Sequence, residues 1–162
     1  MKVKEKTGEH PFGDAGQLIL LVLFLILWIA DSFFLRKSTF LSDDIPLYMR
    51  LVFLALALVT AAYLSISGHD AVGREQRGTK VVSSGAFRYV RHPLYMACLL
   101  FYLGLAVSTA SIFSLAFFVV IFLFYNYIAS FEERVLDEKF GEEYKKYKKR
   151  TGKWVPEIGK GS

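Results

Sequence analysis

Apolar residues along this chain gather into three runs, Leu18–Leu35, Leu47–Ile66 and Leu94–Ala129, parted by stretches dense in charge. The first contains LILLVLFLILWIA over residues 18–30, with no polar position to turn toward water, so a soluble helical bundle accounts for it poorly. A bilayer asks for about 20 mostly apolar residues per spanning helix. The third run, 36 residues long, is barely enough for two. Its plausible turn is Ser108-Thr109-Ala110-Ser111, which predicts a tight hairpin, Pro93–Val107 out and Ile112–Ser130 back. One long helix instead would put the basic C-terminal region on the outer side, against the charge distribution. The pattern therefore predicts an all-α integral membrane protein with four transmembrane helices, the last two a hairpin, plus cytoplasmic interfacial helices. Lipid-facing backbone must satisfy its own hydrogen bonds, and helices do so.

The predicted organisation is a single membrane domain. Residues 1–17 are a loose lead-in containing a solvated His10, 18–67 hold two spans, 68–92 a connection, 93–130 the hairpin and 131–162 an interfacial tail. Asp31 lies near the outer end of the first run, where an interfacial position or a helix–helix hydrogen bond would hold it. Arg50 can snorkel to the outer surface. Ser67-Gly68-His69 breaks the second apolar pattern, and GREQRGTK (73–80) is too polar for a core element. In the tail, Leu136, Phe140, Tyr144 and Tyr147 recur at spacings of one helical face, with Lys145, Lys146, Lys148 and Lys149 around them. Such a helix suits the plane of an anionic lipid surface, with Trp154 as a headgroup anchor.

Composition sharpens this picture. With 162 residues there is material for one domain. Hydrophobic residues make up 54% and charged ones 22%, with a net charge of +5. Placing both termini and the 68–92 segment in the cytoplasm puts 17 of the 20 Lys and Arg there, the orientation expected from the inner excess of basic residues in a cell's inner or plasma membrane. The tail's nine basic residues are accompanied by seven acids beside a membrane, which argues against a nucleic-acid partner. One cysteine, Cys98, excludes an internal disulfide. The three histidines lie far apart, so no metal site is expected.

Candidate chemistry concentrates in SGAFRYVRHPLYMACL (84–99), where Arg88, Tyr89, Arg91, His92 and Tyr95 meet at a span boundary. Pro93 fits the first helical turn. The spare N–H groups there favour an anion or carboxylate, and arginine suits a bidentate carboxylate contact. Plain structural roles stay open: the arginines touching lipid phosphate, His92 as a cap. Glu132 and Glu133 follow the last apolar stretch and point about 100° apart on a helix, so one can face the bundle while the other faces water. The inward one is a candidate ligand for an ammonium or for ribose hydroxyls, with Tyr125 and Asn126 facing the same cavity.

FRYVRHPLYMA, followed after a hydrophobic stretch by FEERVLDEKFGEEYKKYKKRTGKWVP, resembles the isoprenylcysteine carboxyl methyltransferase family, as a prokaryotic member, and the related phospholipid N-methyltransferases. The family's marks appear as Arg91-His92-Pro93-Leu94-Tyr95, the pair Glu132-Glu133, Phe140-Gly141-Glu142-Glu143-Tyr144-Lys145-Lys146-Tyr147, and Pro156. The resemblance covers about residues 80–156, half the chain. Two departures, Ala86 in the approach and Ala97 two residues after the tyrosine, bear on pocket shape and remove no polar ligand. The resemblance implies S-adenosyl-L-methionine bound at the cytoplasmic membrane face by the C-terminal half. His92 and Tyr95 would contact its methionine or adenosine portion, Glu132 or Glu133 its amino group or ribose, and Tyr89 and Arg91 would complete the wall, with Asn126 beside them. A carboxylate acceptor needs no general base, only an arginine (Arg88 or Arg91) to hold one oxygen. An amine or thiol must lose a proton, for which His92 is the nearest base. The expected partners are a hydrophobic or lipid-tailed acceptor and anionic headgroups. Methylation of a phospholipid amine or a small thiol, and a non-enzymatic membrane role, are the alternatives.

Overall fold

Helices follow the apolar runs and outlast them. The computed structural model describes residues 13–75 and 79–157, with Glu75 described by its backbone alone. Residues 1–12 of the lead-in, His10 among them, and residues 76–78 therefore lie outside the described residues, while residues 13–17, expected to be loose, are helical. Helix α1 (Gly13–Ile29) runs on through a π-helical turn (Ala30–Leu35). It is followed by α2 (Leu47–Glu75), α3 (Pro93–Ser108), α4 (Ile112–Phe140) and α5 (Glu142–Arg150).

Ser67-Gly68-His69 does not end α2, contrary to expectation. Gly68 packs against the start of α3, where an added Cβ would stand 3.0 Å from Leu94 Cδ2. A mid-helix glycine costs about 1 kcal/mol of propensity, and this close packing offsets it. Likewise α4 passes from its apolar part through Glu132 and Glu133 as one rod, ending where Gly141 takes φ 54°.

The third helix packs against each of the three long ones. Phe24 of α1, Leu99, Tyr102 and Ala106 of α3, and Ile121 and Tyr125 of α4 form the main core. Against α2 the approach is closer still: a Cβ on Gly104 would meet that of Ala57 at 3.1 Å. Small residues permit such close helix contact where lipid supplies no hydrophobic drive.

Between α3 and α4 the chain turns in three residues. Ser111 N donates to Ala106 O (3.1 Å) and Ala110 N to Val107 O (3.0 Å), a Schellman ending with Ala110 left-handed at φ 53°. A left-handed alanine costs about 1–2 kcal/mol, and glycine loses back about 0.4–1 kcal/mol to its freer unfolded chain. Ala110→Gly should therefore stabilise the protein by about 0.5–1 kcal/mol, read as a raised unfolding midpoint in detergent.

The start of α4 is capped from two directions. Ser111 Oγ accepts from Ser114 N (3.2 Å), while Ser38 accepts from Ile112 N on its carbonyl (3.2 Å) and from Phe113 N on its hydroxyl (3.0 Å). Three orphan amides of the first turn are thereby satisfied. Asp31, buried at the same end, accepts from Lys37 N, Ser38 N, Ser38 Oγ and Ser111 Oγ. Arg50 reaches back toward the connection that precedes α2. Its guanidinium donates to Ile45 O, Ser42 O and Ser108 O, which ties the start of α2 to the end of α3.

Among the described residues three helices, Gly13–Leu35, Leu47–Arg74 and Ile112–Phe140, are long and apolar enough to cross a membrane. Helix α3, with 16 residues, rises about 24 Å, short of the ~30 Å hydrocarbon core. The predicted even number of crossings is thus replaced by an odd count of spanning-length helices. Alternating topology then puts the chain's two ends on opposite sides, which overturns the expectation that both termini are cytoplasmic. The physical reason is that a 36-residue apolar run divided by a turn yielded one full-length helix and one short, largely enclosed one.

Tyr144 and Tyr147 do not lie toward lipid. They are 2% and 4% exposed and pack with Val81, Leu136 and Phe140. The aromatic stripe of α5 therefore docks on the protein itself. Beyond α5 the backbone runs beside the approach to α3: Val90 and Gly152 form a single parallel bridge, and Arg91 N donates to Gly152 O (2.9 Å).

Candidate functional site

The approach to α3 is steered by Gly85. Its φ of +57° and the 2.9 Å separation of a would-be Cβ from Ser67 O both require glycine. A 3-10 turn, Gly85–Arg88, follows and leads to His92, whose φ −125° and ψ 63° break the chain into α3 at Pro93. Tyr95 stands one turn later, and its ring stacks on that of His92, centroids 5.7 Å apart and nearly parallel at 6°.

Across from them, α4 presents its two adjacent glutamates, and the helical rotation divides their tasks. Tyr95 OH donates to Glu132 Oε1 at 2.5 Å. His92 Nε2 lies 3.1 Å from Glu133 Oε1, and its Nδ1 lies 3.8 Å from Glu132 Oε2. Arg91 Nε donates to Glu133 Oε1 at 2.8 Å. A carboxylate paired with guanidinium accepts only, so the proton on His92 belongs on Nε2. The remaining reach of Arg91 goes to the tail: Nη1 donates to Thr151 O (2.7 Å) and Lys148 O (3.3 Å).

A cavity of about 800 Å³, its open mouth included, adjoins this cluster. His92, Tyr95, Glu132 and Arg91 form its polar wall. Opposite are Val81, Val82, Phe87, Leu136 and Phe140, with Tyr144 among them and the exposed Lys80 and Lys139 also lining it. The balance of apolar lining with a few convergent polar groups is that of a small-molecule site.

Of the residues singled out in sequence, the structure brings Arg91, His92, Tyr95, Glu132 and Glu133 together, the first four in the cavity wall. Arg88 and Tyr89 are exposed and outside the lining. Asn126 sits behind the cluster: its Oδ1 accepts from Lys153 Nζ (3.0 Å) and Trp154 Nε1 (3.1 Å), and Ser130 Oγ accepts from the same ammonium (2.7 Å). Burial pulls the Lys153 pKa below its ordinary value. Trp154, expected at the headgroups, instead packs its ring 5.8 Å from His92 and 5.7 Å from Phe122. The segment 151–154 is thus a strap closing the rear of the site. Sequence reasoning missed Lys80, Lys139 and Lys153 as well as Tyr144's place in the wall. The helical stripe and the Phe140–Tyr147 motif both marked Tyr144, but a stripe names a face without naming what covers it.

A family model described as phospholipid methyltransferase matches residues 47–143, which takes in α2, α3, α4 and the whole His92–Glu133 cluster. Methanethiol S-methyltransferase 1 of Bradyrhizobium diazoefficiens is 31% identical over 85 residues, 52% of this chain and 29% of the relative. Protein-S-isoprenylcysteine O-methyltransferase B of Arabidopsis thaliana is 32% identical over 84 residues, 51% of this chain and 43% of the relative. The Protein-S-isoprenylcysteine O-methyltransferase of Schizosaccharomyces pombe is 29% identical over 91 residues, 56% of this chain and 39% of the relative. The chain spans less than half the length of the curated relatives it matches.

Proposed function

This chain belongs to the phospholipid methyltransferase family, and we propose that it transfers the methyl group of S-adenosylmethionine to a carboxylate on a lipid-like, isoprenylcysteine-like acceptor. Family membership supports a membrane-associated methyltransferase of small molecules; donor, acceptor and site residues are the proposal. The observation that carries it is one cavity wall holding Glu132, Tyr95, His92 and Arg91, braced from behind by Glu133.

The donor set fits a cationic cofactor. Glu132 is 4% exposed yet lines the cavity, so its carboxylate can meet a bound ammonium in a setting with little competing water. Aromatic faces at Phe87 and Tyr95 suit a positive centre as well. Glu132, Tyr95 and His92 would hold the cofactor. A bound S-adenosylmethionine would supply an electrophilic methyl, its sulfur keeping the electron pair of the S–CH3 bond while an acceptor lone pair makes the new one.

The chain's own contribution is positioning and water exclusion. Arg91 and His92 converge on Glu133, which fixes the rotation of the imidazole and, through the stacked Tyr95, the orientation of Glu132. The apolar wall strips water from the acceptor, which strengthens every polar contact inside. His92 favours the carboxylate reading over the amine or thiol one. Its Nε2 faces Glu133 and its ring is flanked by Tyr95 and Trp154, a position that holds the ring rather than frees it to shuttle protons. An acceptor carboxylate, ionised near neutral pH, needs no base.

Glu132→Gln, which keeps shape and removes charge, should weaken S-adenosylmethionine binding by about tenfold or more, the scale of a hydrogen bond to a charged group. Calorimetry on the detergent-solubilised protein measures it. Undiminished affinity in the folded variant removes Glu132 from the site, and a wild-type protein that binds no S-adenosylmethionine sinks the reading. Mass spectrometry of membrane extracts incubated with methyl-labelled donor then identifies the acceptor.

A further inference from the structure

The proposed reaction needs a group to hold the acceptor's oxygen, and neither arginine expected to do so is placed for it. Arg91 is engaged by Glu133 and by the carbonyls of Lys148 and Thr151, while Arg88 is exposed outside the cavity lining. Tyr144 has what the arginines lack. It lines the cavity and is 2% exposed, packed with Val81, Leu136 and Phe140. Its ring contacts are with Tyr147, centroids 5.8 Å apart, and with Lys148 Nζ at 5.5 Å. Among the described residues its hydroxyl has no hydrogen-bond partner. The other tyrosines of the lining are engaged: Tyr147 OH donates to Phe87 O at 2.7 Å, Tyr95 OH to Glu132. Among the described residues the fully buried side-chain oxygen without a partner is Asp137 Oδ1, so the Tyr144 hydroxyl stands open to the cavity it lines, where an entering ligand can take the place of water on it.

Charge indicates which ligand. The carboxylates of Glu132 and Glu133 make the His92 end suitable for a cation. Leu136 and Phe140 lie about 6 and 12 Å farther along α4, at 1.5 Å per residue. There the side chains at the cavity are apolar except for Tyr144 and the cationic Lys139, and Lys80 adds a second positive charge. Burial pushes the Tyr144 phenol's pKa up, so it keeps its proton and acts as a donor. A neutral donor on a greasy wall, in a cavity also lined by two lysines, suits an oxygen anion carrying an apolar tail.

We propose that Tyr144 is an acceptor-binding residue whose hydroxyl donates to the acceptor's carboxylate oxygen, with Lys139 and Lys80 supplying the attracting charge and Leu136 and Phe140 the bed for the tail. The assignment rests on the methyltransferase reading above and deepens it.

The test uses the full chain in neutral-detergent micelles and isothermal calorimetry with three probes: S-adenosylhomocysteine, laurate and uncharged dodecanol. In the wild type laurate should bind more tightly than dodecanol. Tyr144→Phe should weaken laurate by about tenfold, as loss of a hydrogen bond to a charged group implies, and leave S-adenosylhomocysteine within about twofold. Lys139→Gln should lower laurate affinity in the same direction by a smaller factor. Equal laurate affinity in Tyr144→Phe and wild type overturns the proposal. So does a laurate affinity no greater than that of dodecanol, or a loss confined to S-adenosylhomocysteine, which would put the hydroxyl on the cofactor. Failure of the wild type to bind S-adenosylhomocysteine would instead strike the underlying methyltransferase reading, so the two failures are told apart.

Discussion

Asp31→Ala should destabilise the protein by about 3–5 kcal/mol, because it strands several buried donors at once. The side chain is 1% exposed and accepts from two backbone amides, Lys37 and Ser38 (3.1 Å each), and from the hydroxyls of Ser38 (2.5 Å) and Ser111 (2.6 Å). Ser111 and Ser38 in turn cap the first turn of α4, so the loss spreads from one carboxylate to a helix start. Asp31→Asn should cost less, about 1–2 kcal/mol, since its carbonyl still accepts and the two hydroxyls can turn to accept from its amide. Apparent unfolding midpoints in one detergent, compared across the three proteins, decide the matter. Equal midpoints for wild type and Asp31→Ala would mean the cluster contributes little.

Arg91→Ala should cost a similar amount and remove donor binding as well. The Arg91–Glu133 pair has side chains 13% and 15% exposed. Removing one partner of such a pair leaves an uncompensated charge, typically about 3–5 kcal/mol. The same guanidinium ties the strap through Thr151 O and Lys148 O. The variant should therefore lose S-adenosylmethionine affinity and gain tryptic cleavage at Lys148 and Lys153 together. Arg91→Lys retains charge but has no fork to serve a carboxylate and two carbonyls, so it should fall between. A variant with normal affinity and a strap as resistant to trypsin as the wild type would show that Arg91 links nothing.

The long apolar helices and the meeting of His92, Tyr95 and the acidic pair were legible because hydropathy and motif order are local facts. What was not legible depended on distant partners. Hydropathy marks where lipid stops suiting the chain and not where a helix stops, so residues 67–75 were read as a break although α2 continues through them. Asp31 was noticed, but its partner Ser111 lies 80 positions away. The Tyr144–Tyr147 face was read correctly as a face and assigned to lipid, because nothing local reveals that Val81 and the cavity meet it. Arg88 and Arg91 looked equivalent in the string. The 3-10 turn that ends at Arg88 leaves that side chain exposed and delivers Arg91 to Glu133, a distinction made by backbone path and not by spacing. The crossing count failed for a related reason. A 36-residue apolar run fixes how much greasy chain there is, while the position of the turn decides how it is shared.

The strap of residues 151–154 follows the three spanning-length helices found among the described residues, yet it supplies the rear wall of His92 and two of the anchors of Arg91. During biosynthesis the helices can therefore enter the bilayer and associate while the candidate site is still unfinished. Its rear closes only when this short segment folds back onto α4. The site is thus completed last, and a bulky fusion placed directly after Trp154 would hold the protein in that immature form.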